Sequence, residues 1–252
     1  MTRSELAKAI ISGDLPPLAS EEPWQRPTFY YPKLAAKAFY DPAEFPWTKR
    51  LKEAFSDIVR ETTACLKLGR GFEPVFPKYA DGGRWATLWF SLYGQRYADN
   101  CALFPLTMNA LEAVPAPAGW AALSALEPGS HVRPHCGVTN AKLRLHYAIC
   151  AERGSRLRVG SRFYEWSSGE MMIFDDSYEH EVWVSGTHPR IVMIVDFYHP
   201  DLSPDEVALM RRFEAEPSKL MRGRSLMAAY QDAGRGSSCI GDAGWVYRAN
   251  YS

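Results

Sequence analysis

Seven short segments between residues 119 and 199 most constrain what this chain can fold into. Trp120–Leu126, Lys142–Cys150, Ser155–Gly160, Arg162–Trp166, Glu170–Phe174, His180–Val184 and Arg190–Tyr198 each read as a strand. Glycine, proline, serine or aspartate fills the gaps between them. Strands at this spacing predict a sandwich or barrel rather than a helical bundle. The longest apolar run among them, Ile191–Val195, suits a buried strand and is far short of the ~20 residues of a membrane span.

The first 118 residues follow other rules. Pro16, Pro17, Pro23, Pro27 and Pro32 keep residues 15–33 extended or irregular. Residues 48–68 carry a helical stripe of Leu51, Phe55, Ile58, Val59, Thr62, Leu66 and Leu68, with Gly69 as its stop. Leu88–Tyr93 predicts a strand and Pro105–Leu111 a short helix. Beyond the strands, Ser203-Pro204-Asp205-Glu206 is a helix-opening signature, so residues 204–216 return to helix. The glycine- and serine-rich residues that follow suit an ordered flap or a loose tail. The chain therefore reads as one domain over 1–252. It has a helical and irregular extension with at least one strand (1–118), a β core (119–203) and a C-terminal helix and tail (204–252).

Lysine plus arginine, 29, balances aspartate plus glutamate, 29, which argues against a strongly basic nucleic-acid wrapper. The polar start, Met1-Thr2-Arg3-Ser4-Glu5, lacks the apolar core of a signal peptide. Cys65, Cys101, Cys136, Cys150 and Cys239 are scattered, with no Cys-x-x-Cys, and read as reduced thiols. These features predict a cytoplasmic protein with no membrane or nucleic-acid partner, and leave its oligomeric state open.

All 6 histidines lie between His131 and His199. Two imidazoles some 45 positions apart can meet on a rolled sheet and hold a non-haem iron, which usually also takes one carboxylate. The obvious place for that carboxylate is two residues after the first histidine. The segment here is His135-Cys136-Gly137, and Gly137 has no ligand to offer. Spacing alone also leaves open surface or core histidines that bind no metal. In Lys142–His146, period two places Lys142, Arg144 and His146 on one face, and Arg190 shares a face with Val192 and Ile194. Buried cations are costly without anions, and a dicarboxylate ligand would supply them. Arginines facing solvent are the alternative.

Three segments, His131–Asn140, Leu143–His146 and Ile173–Trp183, with Val195–Leu202 after them, resemble the aspartyl/asparaginyl β-hydroxylase family. The resemblance implies a mainly β fold, a double-stranded β-helix (jelly roll, cupin-like) with flanking N- and C-terminal helices. It implies Fe(II), with 2-oxoglutarate and O2 as co-substrates. The family's iron-binding histidines fall on His135 and His180, and its 2-oxoglutarate-binding residues on Ser124, Arg144, His146 and Arg190. At Gly137 the family leaves the third position to water. Asp176 is the rival ligand, expected to orient a neighbouring imidazole or backbone turn.

Lys142 falls where an arginine of the animal enzymes helps hold an acidic substrate side chain. Arg133 replaces an aromatic, and could instead pair with Glu127. Both point to a carboxylate-bearing small-molecule or short-peptide substrate. Phe104 stands where the animal enzymes carry the second cysteine after Cys101, so their local disulfide has no equivalent. The implied activity is hydroxylation of an aspartyl, asparaginyl or related acidic amino-acid substrate, with release of succinate and CO2. A halogenase, with chloride beside Gly137, and a catalytically inactive cupin-like binding module are the alternatives.

Overall fold

The structure, a computed structural model, describes residues 1–75 and 80–215. The N-terminal half contains α1 (Arg3–Ser12), β1 (Phe39–Tyr40), α2 (Thr48–Glu53), α3 (Phe55–Leu68), β2 (Glu73–Pro74), β3 (Ala80–Asp81), β4 (Trp85–Leu92), β5 (Gln95–Arg96), α4 (Ala98–Ala102) and α5 (Pro105–Leu111). Then follow β6 (Pro117–Leu126), β7 (His131–His135), β8 (Lys142–Cys150), β9 (Arg156–Val159), β10 (Arg162–Glu165), β11 (Met171–Phe174), β12 (His180–Trp183) and β13 (Arg190–Tyr198), with α6 (Pro204–Glu214) last.

Local chemistry accounts for several boundaries. The stripe over 48–68 divides at Ala54, which leaves the helical region (φ −83°, ψ 2°) and so closes α2 and opens α3. Gly69 ends α3 in the left-handed conformation (φ 63°) that glycine adopts without strain. The Ser203 side chain accepts from the Glu206 N–H, Glu206 reaches back to the Ser203 N–H, and Pro204 occupies the first turn of α6. The tail expected after residue 216 lies outside the described residues, as does Cys239. Cys65, Cys101 and Cys136 are free thiols.

The strands form two antiparallel sheets. The larger, of eight strands, runs β1-β11-β8-β13-β6-β4-β2, with β5 paired to β4. The smaller, of five, runs β10-β9-β12-β7-β3. This corrects the expected closed double-stranded β-helix. Among the described residues no hydrogen-bonded pairing joins one sheet to the other, so both remain open. Pairing stops at β1, β2 and β3, each only two residues long, too short to carry a ladder onward. The six helices also make the content mixed α and β rather than mainly β.

Side-chain alternation then sorts residues between two cores. On β13, Ile191, Met193, Val195 and Phe197 pack with Leu143, Leu145 and Tyr147 of β8 and with Leu51, Ile58 and Leu66 of the helices. Val192 and Ile194 face the other way, into a cluster with Val132, Leu157, Val159 and Val182 of the small sheet. With both faces covered, β8 and β13 are buried almost end to end. The polar residues that share the inter-sheet face are thereby forced inside.

A third cluster packs α1 and α6 against Phe29, Tyr31 and Leu34. This proline-punctuated N-terminal segment is a strap over two loops. It meets the loop after His135 through Phe29 N–H to the Val138 carbonyl (2.8 Å) and a two-way Tyr31–Asn140 backbone-to-amide pair (2.6 and 3.0 Å). It meets the loop before His180 through Arg26 N–H to the Ser177 carbonyl (3.1 Å) and Glu179 N–H to the Trp24 carbonyl (2.7 Å).

Candidate active site

His135 at the end of β7 and His180 at the start of β12 are direct cross-strand partners. Their ring centroids lie 4.1 Å apart. His135 Nδ1 is 2.8 Å from the Arg133 carbonyl and His180 Nδ1 is 2.9 Å from the Tyr178 carbonyl. A carbonyl only accepts, so both imidazoles carry their proton on Nδ1 and present Nε2 as a free lone pair. Anchoring the second nitrogen in this way orients a metal-binding histidine. Burial lowers the pKa of both imidazoles, His180 well below the usual value, which keeps them neutral. Among the described residues no third histidine, cysteine or carboxylate completes a cluster with them.

Gly137 explains that gap sterically. A Cβ there would lie 2.5 Å from Cγ and 2.7 Å from Oδ2 of Asp176. The Gly137 N–H also donates to the Asp176 carbonyl at 2.6 Å. The space a residue-137 side chain would need is filled by the Asp176 carboxylate. Asp176 Oδ2 meets Arg144 at 3.2 Å, whereas Oδ1 is buried without a partner. Burial pushes the Asp176 pKa up against the pull of Arg144.

Apart from Arg133, the other site residues from the sequence line the inter-sheet face in two groups. In the first, Arg144 makes a two-pronged pair with Asp196 (2.7 and 2.9 Å) and stacks over Trp120 at 4.6 Å. Lys142 does not reach an open mouth: it is 2% exposed and lies between Glu214 (3.4 Å) and Asp196 (4.0 Å). Burial opposes its charge, yet Tyr93, Glu214 and Asp196 hold its pKa above the usual lysine value. Arg133 is exposed and forks onto Asp81 at 2.6 Å from both nitrogens, not onto Glu127, which pairs with Arg84.

The second group lies further along the same strands. Among the described residues Arg190, 2% exposed, has neither a carboxylate nor a hydrogen bond on Nε or Nη1, and burial alone pushes its pKa down to about 9. Its guanidinium sits 4.2 Å above the Trp166 ring. His146 stacks on the same ring at 5.9 Å and its Nδ1 is unpartnered. Burial, then Arg190 and Arg144, keep it neutral. Ser124, in register with Val192, accepts from Trp85 Nε1 at 2.9 Å, which leaves its own proton to donate. Unpaired buried donors around one cation describe a site for an anion.

A family model described as aspartyl/asparaginyl beta-hydroxylase matches residues 52–200. The chain belongs to the aspartyl/asparaginyl β-hydroxylase family. Human aspartyl/asparaginyl beta-hydroxylase is 34% identical over 194 residues, 73% of this chain and 25% of the relative. An ornithine lipid ester-linked acyl 2-hydroxylase of Rhizobium tropici is 33% identical over 184 residues, 69% of this chain and 65% of that protein. Aspartate beta-hydroxylase domain-containing protein 2 of Rattus norvegicus is 28% identical over 205 residues, 75% and 59% of the two. The chain thus spans about a quarter of the human family member and less than two thirds of the other two. Among its described residues no helix is long and apolar enough to cross a membrane.

Sequence reading of this β-hydroxylase family member missed Asp196, the shared partner of Arg144 and Lys142, and Trp166, the platform under Arg190 and His146. Period two could have flagged Asp196, which shares a face with Arg190. Asp175, a carboxylate of the Ile173–Trp183 segment, accepts from Gln25 Nε2 (2.8 Å) and the Ser177 N–H (2.9 Å). Burial raises its pKa to about 8. Between about pH 4 and pH 8 the native state therefore binds this proton more tightly than the unfolded chain, and stability falls as pH rises through that window. Asp175→Asn removes the slope. Its melting temperature relative to wild type is expected to be higher at pH 8 than at pH 5, as measured by thermal denaturation. Parallel wild-type and variant pH profiles would reject the assignment.

Proposed function

We propose that the protein is an Fe(II)- and 2-oxoglutarate-dependent hydroxylase acting on an aspartyl, asparaginyl or related acidic amino-acid substrate. One observation carries the reading: a tautomer-fixed histidine pair and an unpaired, buried arginine share the space between the two sheets. His135 and His180 would hold the iron through Nε2, a two-nitrogen set that leaves positions open for co-substrate. Arg190, with the Ser124 hydroxyl, would take the distal carboxylate of 2-oxoglutarate, and His146 would add a neutral contact along its length. Iron, 2-oxoglutarate and O2 together supply oxidative decarboxylation to succinate and CO2, coupled to hydroxylation of a C–H bond.

The chain's own part is placement. Asp196 and Asp176 fix the Arg144 guanidinium, which with His146 would add a donor beside 2-oxoglutarate, and the apolar inter-sheet residues exclude water. Lys142 and Arg133 are already paired, so the acidic substrate rests on family membership. A catalytic unit spanning the whole chain fits the strand β4 and the strap, both contributed by the first 118 residues. The halogenase alternative loses ground, because chloride beside Gly137 would sit against the Asp176 carboxylate.

The test is anaerobic iron titration, followed by incubation with 2-oxoglutarate and ¹⁸O₂ over a panel of acidic amino acids and peptides. The expected result is succinate release with a product heavier by the mass of one ¹⁸O. His135→Ala and His180→Ala are expected to lose both iron binding and turnover. Equal iron binding by all three proteins would overturn the metal assignment, and a chlorinated product would overturn hydroxylation. No oxygen use on any substrate would leave the binding-module reading.

A further inference from the structure

Two buried donors, one on the ring under Arg190 and one on the Ser124 rung, have no use in the scheme above. Trp166 Nε1 and Thr87 Oγ1 are both buried and, among the described residues, both without a hydrogen-bond partner. Buried indole N–H groups normally find a partner, and leaving one unmade costs about 1–3 kcal/mol. If Trp166 served packing alone, phenylalanine would fill the role without that cost. Thr87 is in register with Ser124 across β4 and β6, and Ser124 with Val192 across β6 and β13. The hydroxyls of Thr87 and Ser124 therefore stand side by side, two residue pairs along the sheet from the Arg190–Leu126 pair, with Thr87 one strand beyond Ser124.

The geometry also gives direction. Phe174 touches both His180 (5.5 Å between ring centroids) and His146 (5.0 Å), which puts the histidine pair level with His146. His146 pairs with Ile194, and Arg190 lies four residues back along β13. Four residues of strand span roughly 13 Å. Trp166 bridges that stretch, with His146 and Arg190 both on its ring.

We propose that Trp166 is a specificity-determining wall of the co-substrate cavity. Its ring fixes Arg190, and its indole N–H, with Thr87 Oγ1, donates to the distal carboxylate of a dicarboxylate. This rests on the 2-oxoglutarate reading and extends it to what the cavity requires at its closed end. Selection for a second carboxylate then depends on neutral donors as well as on Arg190.

The experiment is calorimetric titration of the Mn(II)-loaded protein with 2-oxoglutarate and, separately, with pyruvate, which lacks the distal carboxylate. Trp166→Phe is expected to weaken 2-oxoglutarate about tenfold, with pyruvate and Mn(II) affinities unchanged, and Thr87→Val to weaken it by a smaller factor. Should Trp166→Phe fail to fold, benzothienylalanine introduced at position 166 keeps the ring and removes only the N–H. Unchanged 2-oxoglutarate affinity in the Trp166 variant, or equal losses for both ligands, would overturn the inference. A wild-type protein that did not distinguish the two ligands would overturn the 2-oxoglutarate reading along with it.

Discussion

Arg190→Met is expected to make the ligand-free protein more stable, by about 2 kcal/mol, while removing its response to 2-oxoglutarate. Arg190 is a desolvated cation with no carboxylate beside it and two unpaired N–H groups, so the ligand-free fold bears its cost. Methionine keeps the unbranched shape and stays on the Trp166 ring. For a chain of this size the gain corresponds to a rise of about 5 °C in melting temperature. In wild type with Mn(II), 2-oxoglutarate at a hundred times its dissociation constant should add about 2.7 kcal/mol, and the variant should gain nothing. Thermal shift assays with and without 2-oxoglutarate check both halves. A destabilised variant that still responded to the ligand would show that Arg190 has a structural partner and no anion to hold.

Gly137→Ala is expected to destabilise the fold by about 3 kcal/mol, and Gly137→Asp by more. The new Cβ would overlap the Asp176 carboxylate, and that loop cannot retreat freely. The Gly137–Asp176 backbone bond holds it from one side and the Arg144 ion pair from the other. Overpacking a closed site carries a cost of this order, and an added charge carries its own burial penalty. Asp176→Ala should suppress much of the Gly137→Ala defect, because it vacates the contested space. Urea denaturation of the two single variants and the double variant measures the coupling. Additive losses would mean that Asp176 is not what Gly137 accommodates.

The sequence was most legible where side-chain period and burial agree. Alternation along β8 put Lys142, Arg144 and His146 on one face, and that face does line the inter-sheet space. The histidine pair was nameable because two recognisable segments carried it. The partners of the cations were not legible. Arg144 and Asp196 are 52 residues apart, and only the β8–β13 register makes them neighbours. Lys142 looked available because Glu214 arrives from a helix after the last strand, and Arg133 because Asp81 arrives from a two-residue strand with no period to read. Closure of the sheets was misjudged for the same reason: β1, β2 and β3 are too short to leave a pattern, yet they set where pairing ends.

The strap has a kinetic consequence. It bonds to the 136–140 loop at one end and to the 175–179 loop at the other, so the two loops form one opening unit rather than two. Their amide protons should exchange with solvent together, at the rate at which residues 24–31 lift away. The residues that set this rate lie before position 52, outside the stretch that defines the family. A chain reduced to the matched stretch would keep both histidines and lose the segment that covers both loops, leaving the direct Gly137–Asp176 bond to couple them.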